Sequence, residues 1–159
     1  MALPVSLREF IDAMKEQSEM IANYIHLKTG DLEFINELDE DLVMGLESGF
    51  HTDLDENDKA CIEVVKKVKS DEDFISLPSQ FEINDYRIME DFIESLNDES
   101  KQEELYRAIR GRGAFRRFKD RIIDLEVREA WFAFEDKAYK KKAIEFLESH
   151  DIPYKDDTQ

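Results

Sequence analysis

The chain has 159 residues, of which 42% are hydrophobic and 38% charged, and its formal net charge is −17. The apolar content suffices for one buried core and argues against disorder, while the negative charge opposes nucleic acid and anionic membrane over most of the surface. No apolar run approaches the roughly 20 residues that span a bilayer, and the first residues show no signal-peptide pattern. We therefore expect a cytoplasmic protein with one compact domain over residues 1–152 and a frayed C-terminal tail over residues 153–159.

The first predicted elements are a helix and a β-hairpin. Ser6 and Glu9 form a capping-box pattern, and the apolar spacing that follows predicts a helix over residues 7–17. In the hairpin, Thr29 and Gly30 separate two alternating runs, and glycine supplies the positive φ of a tight turn. A two-residue turn gives four cross-strand pairs: Lys28 with Asp31, Leu27 with Leu32, His26 with Glu33, and Ile25 with Phe34. On that register the four apolar side chains face the core and the polar ones face water.

An acidic segment over residues 36–58 follows the hairpin, and its apolar positions predict one short helix. Within it, residues 53–58 have the first ligand positions of an EF-hand loop. Asp58 stands where that loop needs glycine, and Val64 stands where it needs the bidentate glutamate. We therefore interpret this stretch as a helix N-terminus, with Asp53 and Glu56 as an approximate cap. The helix is predicted over residues 55–69, with an inner face made of Cys61, Val64, Val65 and Val68.

After a short third strand at residues 73–78, the rest of the chain is predicted to be helical. Asn84 is expected to cap the next helix, and Ser100 begins a second capping box. The pattern leaves open whether the final helix is continuous past Asp136 or divides there. A small sheet alone cannot bury so many aromatic residues. We therefore predict an α+β fold, in which an antiparallel sheet made of the hairpin and the third strand packs with a predominantly helical C-terminal half.

Positive charge is concentrated in one segment, RGRGAFRRFKDR at residues 110–121. Residues 107–121 carry seven arginine and lysine side chains and one aspartate, a net charge of +6. Two glycines end one predicted helix and begin the next, and free amides beside arginines would suit a phosphate or a carboxylate. The candidate residues for binding an anion or a partner are Arg110, Gly111, Arg112, Gly113, Arg116 and Arg117.

An intramolecular interpretation explains the same arginines without a ligand. Arg116 and Asp120 have the i, i+4 spacing of a helical ion pair, and the preceding helix offers three further acids, Glu90, Asp91 and Glu94. Both interpretations stay open at this point.

Two aromatic residues, Phe115 and Phe118, alternate with the arginines. On a surface they would suit stacking against single-stranded nucleic acid. Their spacing with Ile122 and Leu125 instead predicts that both lie in the core. Nucleic acid is therefore an unfavoured partner, in keeping with the acidic composition.

No catalytic set emerges from the sequence. The three histidines lack metal-binding spacing, and Cys61 lies on an apolar stripe typical of a buried structural thiol. His26 opposite Glu33 is the one plausible proton-transfer pair, and a surface ion pair explains it equally well. We predict no catalytic residue, metal or cofactor. Trp131 is expected in the core, while Phe132 either widens the buried face or marks a contact patch for a partner.

Three stretches of the helical half, YRIMEDFIESL, RAIRGRGAFRRFKD and REAWFAFEDKAYKKKAIEFLESHDI, resemble an uncharacterised bacterial protein family (UPF0158-like). The resemblance extends through the hairpin YIHLKTGDLEFI, whereas the acidic segment 36–58 is particular to this chain. The resemblance implies a bacterial, cytosolic protein of unknown function, and it brings no activity, cofactor or catalytic residue with it.

Two principal functions fit these observations. The first is a non-enzymatic binding or regulatory protein that meets a protein partner through its acidic face or through the surface from Arg110 to Arg117. The alternative is an enzyme or sensor for a phosphorylated small molecule, held by Arg110, Arg112 and the amides after Gly113. Direct nucleic-acid binding is a third hypothesis.

Overall fold

The computed structural model describes residues 4–18, 20–49 and 54–158, and the chain forms two compact units. Unit 1 comprises residues 1–80 and 142–159, and unit 2 comprises residues 81–141. Unit 1 has nine basic and 24 acidic side chains, a net charge of −15, whereas unit 2 has 13 and 15, a net charge of −2. The negative charge is therefore concentrated in unit 1. The single domain predicted over residues 1–152 stays a prediction.

Unit 1 contains an antiparallel sheet and a short parallel strand pair. The strands are β1 (Val5–Ser6), β2 (Ile21–His26), β3 (Leu32–Asn36), β4 (Phe74–Ser76) and β5 (Tyr154–Lys155). Strand β2 lies at the centre of the antiparallel sheet, between β3 and β4, and β1 pairs in parallel with β5. The predicted hairpin and third strand are thus confirmed.

Helices make up most of the C-terminal half, which confirms the predicted α+β fold. They are α1 (Leu7–Glu16), α2 (Glu37–Glu47), α3 (Glu56–Ser70), α4 (Gln80–Ile83), α5 (Asp85–Ser95), α6 (Glu99–Ala108), α7 (Ala114–Asp124) and α8 (Arg128–Ser149). Helix α8 is continuous past Asp136, which resolves the alternative that the pattern left open.

Local side-chain caps fix several helix starts. Ser6 Oγ accepts the amide of Glu9 at 3.2 Å, and Asn84 Oδ1 accepts the amide of Arg87 at 3.1 Å, both as predicted. The cap predicted at Ser100 is wrong. Asp98 is the N-cap of α6, and its carboxylate accepts the amides of Ser100 and Lys101. The cap proposed at Asp53 falls outside the described residues. Helix α3 begins with a reciprocal cap between Asp55 and Asp58.

The hairpin register differs from the prediction by two residues. Ile25 pairs with Leu32, and Asn23 pairs with Phe34, so the connecting loop is longer than two residues. The turn widens because the backbone closes around the His26 ring, whose Nδ1 accepts the amides of Lys28 and Thr29 at 3.1 and 3.2 Å. His26 and Glu33 are therefore not cross-strand partners.

Both faces of the antiparallel sheet are packed against helices, rather than the one face that alternation predicted. Ile35, on the face opposite Ile25, is buried in a core with α2 and α3. Phe34, predicted in the core, is 60% exposed, since the wider turn sets it opposite Asn23 at the edge strand. On α3, Cys61 and Val64 are only half-buried, and the buried residues are Ile62, Val65 and Val68.

Two buried amide side chains join α1 to β2 in unit 1. Asn23 Nδ2 donates to the carbonyl of Ala13 at 3.0 Å, at the C-terminal end of α1 where helical carbonyls lack partners within the helix. Gln17 Oε1 accepts the amide of Asn23 at 3.0 Å, and Gln17 Nε2 donates to the carbonyl of Pro78. The network satisfies backbone groups that would otherwise be buried without a partner.

The last residues of the chain bind its first described residues. Beyond the β1–β5 pairing, Asp157 Oδ2 accepts a hydrogen bond from Ser6 Oγ at 2.5 Å, and Asp157 Oδ1 accepts the amide of Arg8 at 2.9 Å. The hydrogen bond from Ser6 is the main cause that lowers the pKa of the Asp157 carboxyl. That residues 153–159 form a frayed tail stays a prediction. In the structure, three residues of this segment, Tyr154, Lys155 and Asp157, make the contacts described above.

The core of unit 2 is aromatic. The Phe92 ring lies edge-on to Phe118 and Trp131, at centroid distances of 6.2 and 5.4 Å, and Phe118 meets Trp131 at 4.8 Å. Edge-to-face contacts of this kind add to the free energy gained by burying the rings. Trp131 is buried, as predicted, so this cluster holds α5, α7 and α8 together.

Candidate binding surface

The candidate residues lie in and after the turn that joins α6 to α7, and we call residues 110–117 the basic turn. Gly111 and Gly113 have φ angles of +74° and +76°, a conformation that favours glycine. Helix α7 begins after Gly113 without a side-chain cap, and its first turn contains no acidic residue. The structure therefore brings the six candidates together as one exposed segment.

Arg117 shapes the basic turn from within. Its Nε donates to the carbonyl of Ala108 at 2.7 Å, and its two terminal nitrogens donate to the carbonyls of Arg112 and Arg110. A Cβ at Gly113 would lie 3.1 Å from Nη1 of Arg117, so glycine also makes room for this guanidinium. Arg117 is thus committed to backbone carbonyls and serves the turn's conformation.

We expect Arg117→Ala to lower the free energy of unfolding by about 1–2 kcal/mol, because three carbonyls lose a charged donor in an exposed setting. Hydrogen exchange should accelerate at the amides of residues 110–113. The matched control is Arg116→Ala, which should change stability by less than about 0.5 kcal/mol. Equal effects of the two variants in urea titrations would contradict this role for Arg117.

The other three arginines of the turn, Arg110, Arg112 and Arg116, are exposed and take part in no ion pair among residues 4–18, 20–49 and 54–158. Among the described residues the predicted pair between Arg116 and Asp120 does not form, and Asp120 is one of the residues that line the cleft between α6 and α7. Asp91 instead pairs with Arg87 at 3.1 Å. These three arginines therefore lack, among the described residues, the ion pairs that the intramolecular interpretation expected.

The outer face of α7 continues the basic turn with apolar residues. Phe115, predicted in the core, is 48% exposed, whereas Ala114, Phe118 and Ile122 form the buried face. The prediction failed because Phe115 lies at the margin of the buried stripe, where periodicity does not distinguish core from surface. Ile123, two turns further along, is 56% exposed.

Phe132 at the start of α8 extends this surface. It is 49% exposed and lines a shallow hollow with Ile123, which supports the contact-patch alternative for this residue. The guanidinium carbon of Arg128 lies 5.2 Å from the Phe132 ring centroid, and Glu126 and Glu129 form the rim. We call Phe115, Lys119, Ile123 and Phe132 the α7 stripe.

A cleft between α6 and α7 carries both signs of charge. Its lining residues are Glu104, Arg107, Ala108, Arg117, Asp120, Arg121 and Asp124. Arg121 pairs with Asp124 at 3.3 Å, and Arg117 is held by carbonyls. The balance of charges gives this cleft no preference for an anion or a cation.

The proton-transfer pair predicted at His26 and Glu33 is wrong, because each residue has another partner. His26 Nε2 lies 3.0 Å from Asp71 Oδ2, and Glu33 pairs with Lys67 at 3.1 Å. Since Nδ1 of His26 accepts two backbone amides, the ring proton belongs on Nε2, which donates it to Asp71. Both ring nitrogens of His26 therefore have partners within the fold.

The same geometry opposes metal binding at His26, Asp71 and Asp73, whose ligand atoms lie within 4.8 Å of one another. A neutral histidine that binds a metal through Nε2 carries its proton on Nδ1, where two amides already donate. Asp73 is also engaged, with Lys28 at 3.2 Å. The cluster therefore stabilises the hairpin turn.

Asp71 should contribute to acid stability. The amide of Asp73 and the His26 ring donate to its carboxylate and lower the pKa of Asp71 below its usual value. A lowered folded-state pKa stabilises the fold above about pH 4 and loses that contribution as the pH falls through the folded-state pKa. The stability difference between wild type and Asp71→Asn should therefore shrink below pH 4 in urea titrations, and more than for the neighbouring Glu72→Gln control.

Cys61 and His150 are two further groups that the sequence offered for chemistry, and the structure describes both. Burial and the nearby Asp39 raise the pKa of the Cys61 thiol, which disfavours the reactive thiolate. His150 is bound to the carbonyl of Phe146 at 2.9 Å, and His51 lies outside the described residues. In the described part of the chain, no helix has both the length and the apolar character needed to cross a bilayer.

Comparison with known proteins gives one match. A family model described as "Uncharacterised protein family (UPF0158)" matches residues 19–157, which include the basic turn and the α7 stripe. No curated protein and no solved structure matches the chain. The resemblance inferred from the sequence is therefore confirmed.

Proposed function

This chain belongs to the uncharacterised protein family UPF0158, and we propose that it is a non-enzymatic binding or regulatory protein of the bacterial cytoplasm. The basic turn is its contact surface for a protein partner. One observation carries the proposal: Arg110, Arg112 and Arg116 present exposed guanidinium groups that have no ion-pair partner within the described ranges. The chain has 39 Asp and Glu residues, and these arginines form no ion pair with those of them that the structure describes.

The surroundings of two groups, His26 and Cys61, support a non-enzymatic role. Both ring nitrogens of His26 are engaged within the fold, and the raised pKa of the Cys61 thiol disfavours its reactive thiolate. General acid–base or nucleophilic catalysis requires a group with free access to substrate. The arginine surface, by contrast, is exposed and ordered by Arg117.

Proteins retained by the purified chain from a native-cell extract would test the contact surface. Arg112→Glu combined with Arg116→Glu should abolish retention of a partner that uses the basic turn. The matched control combines Lys141→Glu with Lys142→Glu, two exposed residues of α8, and makes the same change in net charge. Retention of the same proteins by both double variants would exclude the basic turn and leave the acidic face of the chain as the contact.

A phosphorylated small molecule is a second candidate ligand of the basic turn. The uncapped start of α7 favours it, because the first amides of a helix without a capping side chain can donate to an anion. Inorganic phosphate or a sugar phosphate that binds the native state should raise the melting temperature, and above Kd the rise should grow with the logarithm of the ligand concentration. The rise should vanish in the Arg112/Arg116 double variant and persist in the Lys141/Lys142 control. An equal rise in both would place the ligand elsewhere.

A further inference from the structure

We infer that the α7 stripe, together with the basic turn, is a docking surface for an acidic amphipathic helix of a partner protein. The inference rests on the proposed function and deepens it by naming the partner's chemistry. The exposed apolar side chains of the stripe fit the apolar face of a helix. The positive charge beside them favours a helix that is acidic.

The α7 stripe presents three exposed apolar side chains, those of Phe115, Ile123 and Phe132. Phe115 and Ile123 are eight residues apart on α7, a separation of about 12 Å along the helix axis. Lys119 lies midway between them on the same face, and its stem can cover apolar surface while its ammonium stays in water. Phe132 continues the stripe from α8 at the hollow beside Ile123. A helix of about two or three turns, with apolar residues at i, i+3 or i+4, and i+7, has the length to cover these side chains.

Charge selects an acidic occupant at the end of the stripe that adjoins the basic turn. Arg112, Arg116 and Lys119 are exposed and have no ion-pair partner among the described residues. The uncapped N-terminus of α7 adds partial positive charge at the same end. Carboxylates of a partner helix would therefore be favoured there, while its apolar residues meet Phe115 and Ile123.

The composition of the surface favours a protein over a nucleic acid. Ile123 offers no ring for base stacking, and the acids Glu126 and Glu129 form the rim of the hollow beside it. Phosphates placed along the stripe would meet these acids. Phe115 is exposed and not buried in the core as predicted, which removes one argument against a nucleic-acid partner. The crosslinking experiment below therefore treats a crosslink to nucleic acid as a result that overturns the inference.

A photo-crosslinking amino acid placed at position 123 of the full chain, in native cells, tests the inference. The control position is 38 in unit 1, because Leu38 is also a large exposed apolar residue, at 65%. Position 123 should yield a specific crosslink to a protein segment with net negative charge and helical apolar spacing, and Arg112→Glu with Arg116→Glu should abolish that crosslink. Yields at position 123 no higher than at position 38, or crosslinks to nucleic acid or to a basic segment, would overturn the inference.

The crosslinked segment, synthesised as a labelled peptide, measures the contribution of individual side chains. Ile123→Ser should weaken binding about tenfold or more, as expected for a central apolar contact, and Lys119→Glu should also weaken it. Leu38→Ser should change Kd less than about twofold. If the charge variant loses its partner while Ile123→Ser and Phe132→Ser bind normally, the proposed function stands and the helix-docking inference fails. If the charge variant keeps every partner, the proposed function fails as well.

Discussion

Phe92→Ala should lower the free energy of unfolding by about 3–5 kcal/mol, a large part of the roughly 5–15 kcal/mol that stabilises a domain. The ring is fully buried and meets Phe118, Trp131 and Phe134 edge-on, with the last centroid at 5.5 Å. Truncation would remove these contacts and leave a cavity among elements from three helices, which cannot close without moving α5 relative to α7 and α8.

Urea unfolding followed by the fluorescence of Trp131, the single tryptophan in the sequence, would measure this effect directly. The matched control is Phe132→Ala, because Phe132 is a half-exposed phenylalanine of the same unit. It should cost less than about 1 kcal/mol, since little apolar surface returns to water. A loss under 1 kcal/mol for Phe92→Ala would show that the aromatic cluster does not support unit 2 as described.

The second large effect is expected in unit 1, where Asn23→Ala should cost about 2–3 kcal/mol. The substitution leaves the buried carbonyl of Ala13 without its donor at the end of α1, and an unsatisfied buried polar group costs about 1–3 kcal/mol. Truncation of Asn23 also leaves space beside Gln17, so the side-chain amide of Gln17 loses packing contacts.

Circular dichroism during urea titration would measure the change, with Asn97→Ala as the control. Asn97 is an exposed asparagine with no hydrogen bond among the described residues, so its truncation should stay within about 0.5 kcal/mol. Hydrogen exchange at the amide of Asn23 should remain slow in Asn97→Ala and accelerate in a Gln17→Leu variant, which removes the acceptor of that amide. Similar losses for the two asparagine variants would contradict the role assigned to the buried network.

The elements that sequence reasoning predicted well depend on neighbours in the chain. Ser6 and Asn84 cap their helices through residues three positions away, and the amphipathic stripes of α1 and α5 follow from local spacing. The hairpin register depends instead on how the backbone closes around His26, and Asp71, 45 residues further on, holds that ring. Local pattern contains no information on such a contact. For the same reason the pairing of β1 with β5 was not predicted.

The sequence predicted which segment forms the candidate surface, but it did not predict how the side chains of that segment are arranged. The charge run contains the six candidate residues, all of which lie in the basic turn, and the glycines correctly marked the boundary between two helices. The sequence did not show that Arg117 binds three carbonyls. Every residue has a backbone carbonyl, so residue types do not indicate which carbonyls a side chain will reach. It also misplaced Phe115, whose position on the margin of a helical stripe fits burial or exposure equally well.

The three hydrogen bonds from Arg117 to backbone carbonyls affect the kinetics of any complex at the basic turn. Because one guanidinium already holds three carbonyls in the free protein, the turn is preorganised and loses little conformational entropy when a partner arrives. Preorganisation of this kind lengthens residence time through slower dissociation, while electrostatic attraction sets the association rate. Removal of these three hydrogen bonds, as in Arg117→Ala, should therefore shorten the lifetime of the complex.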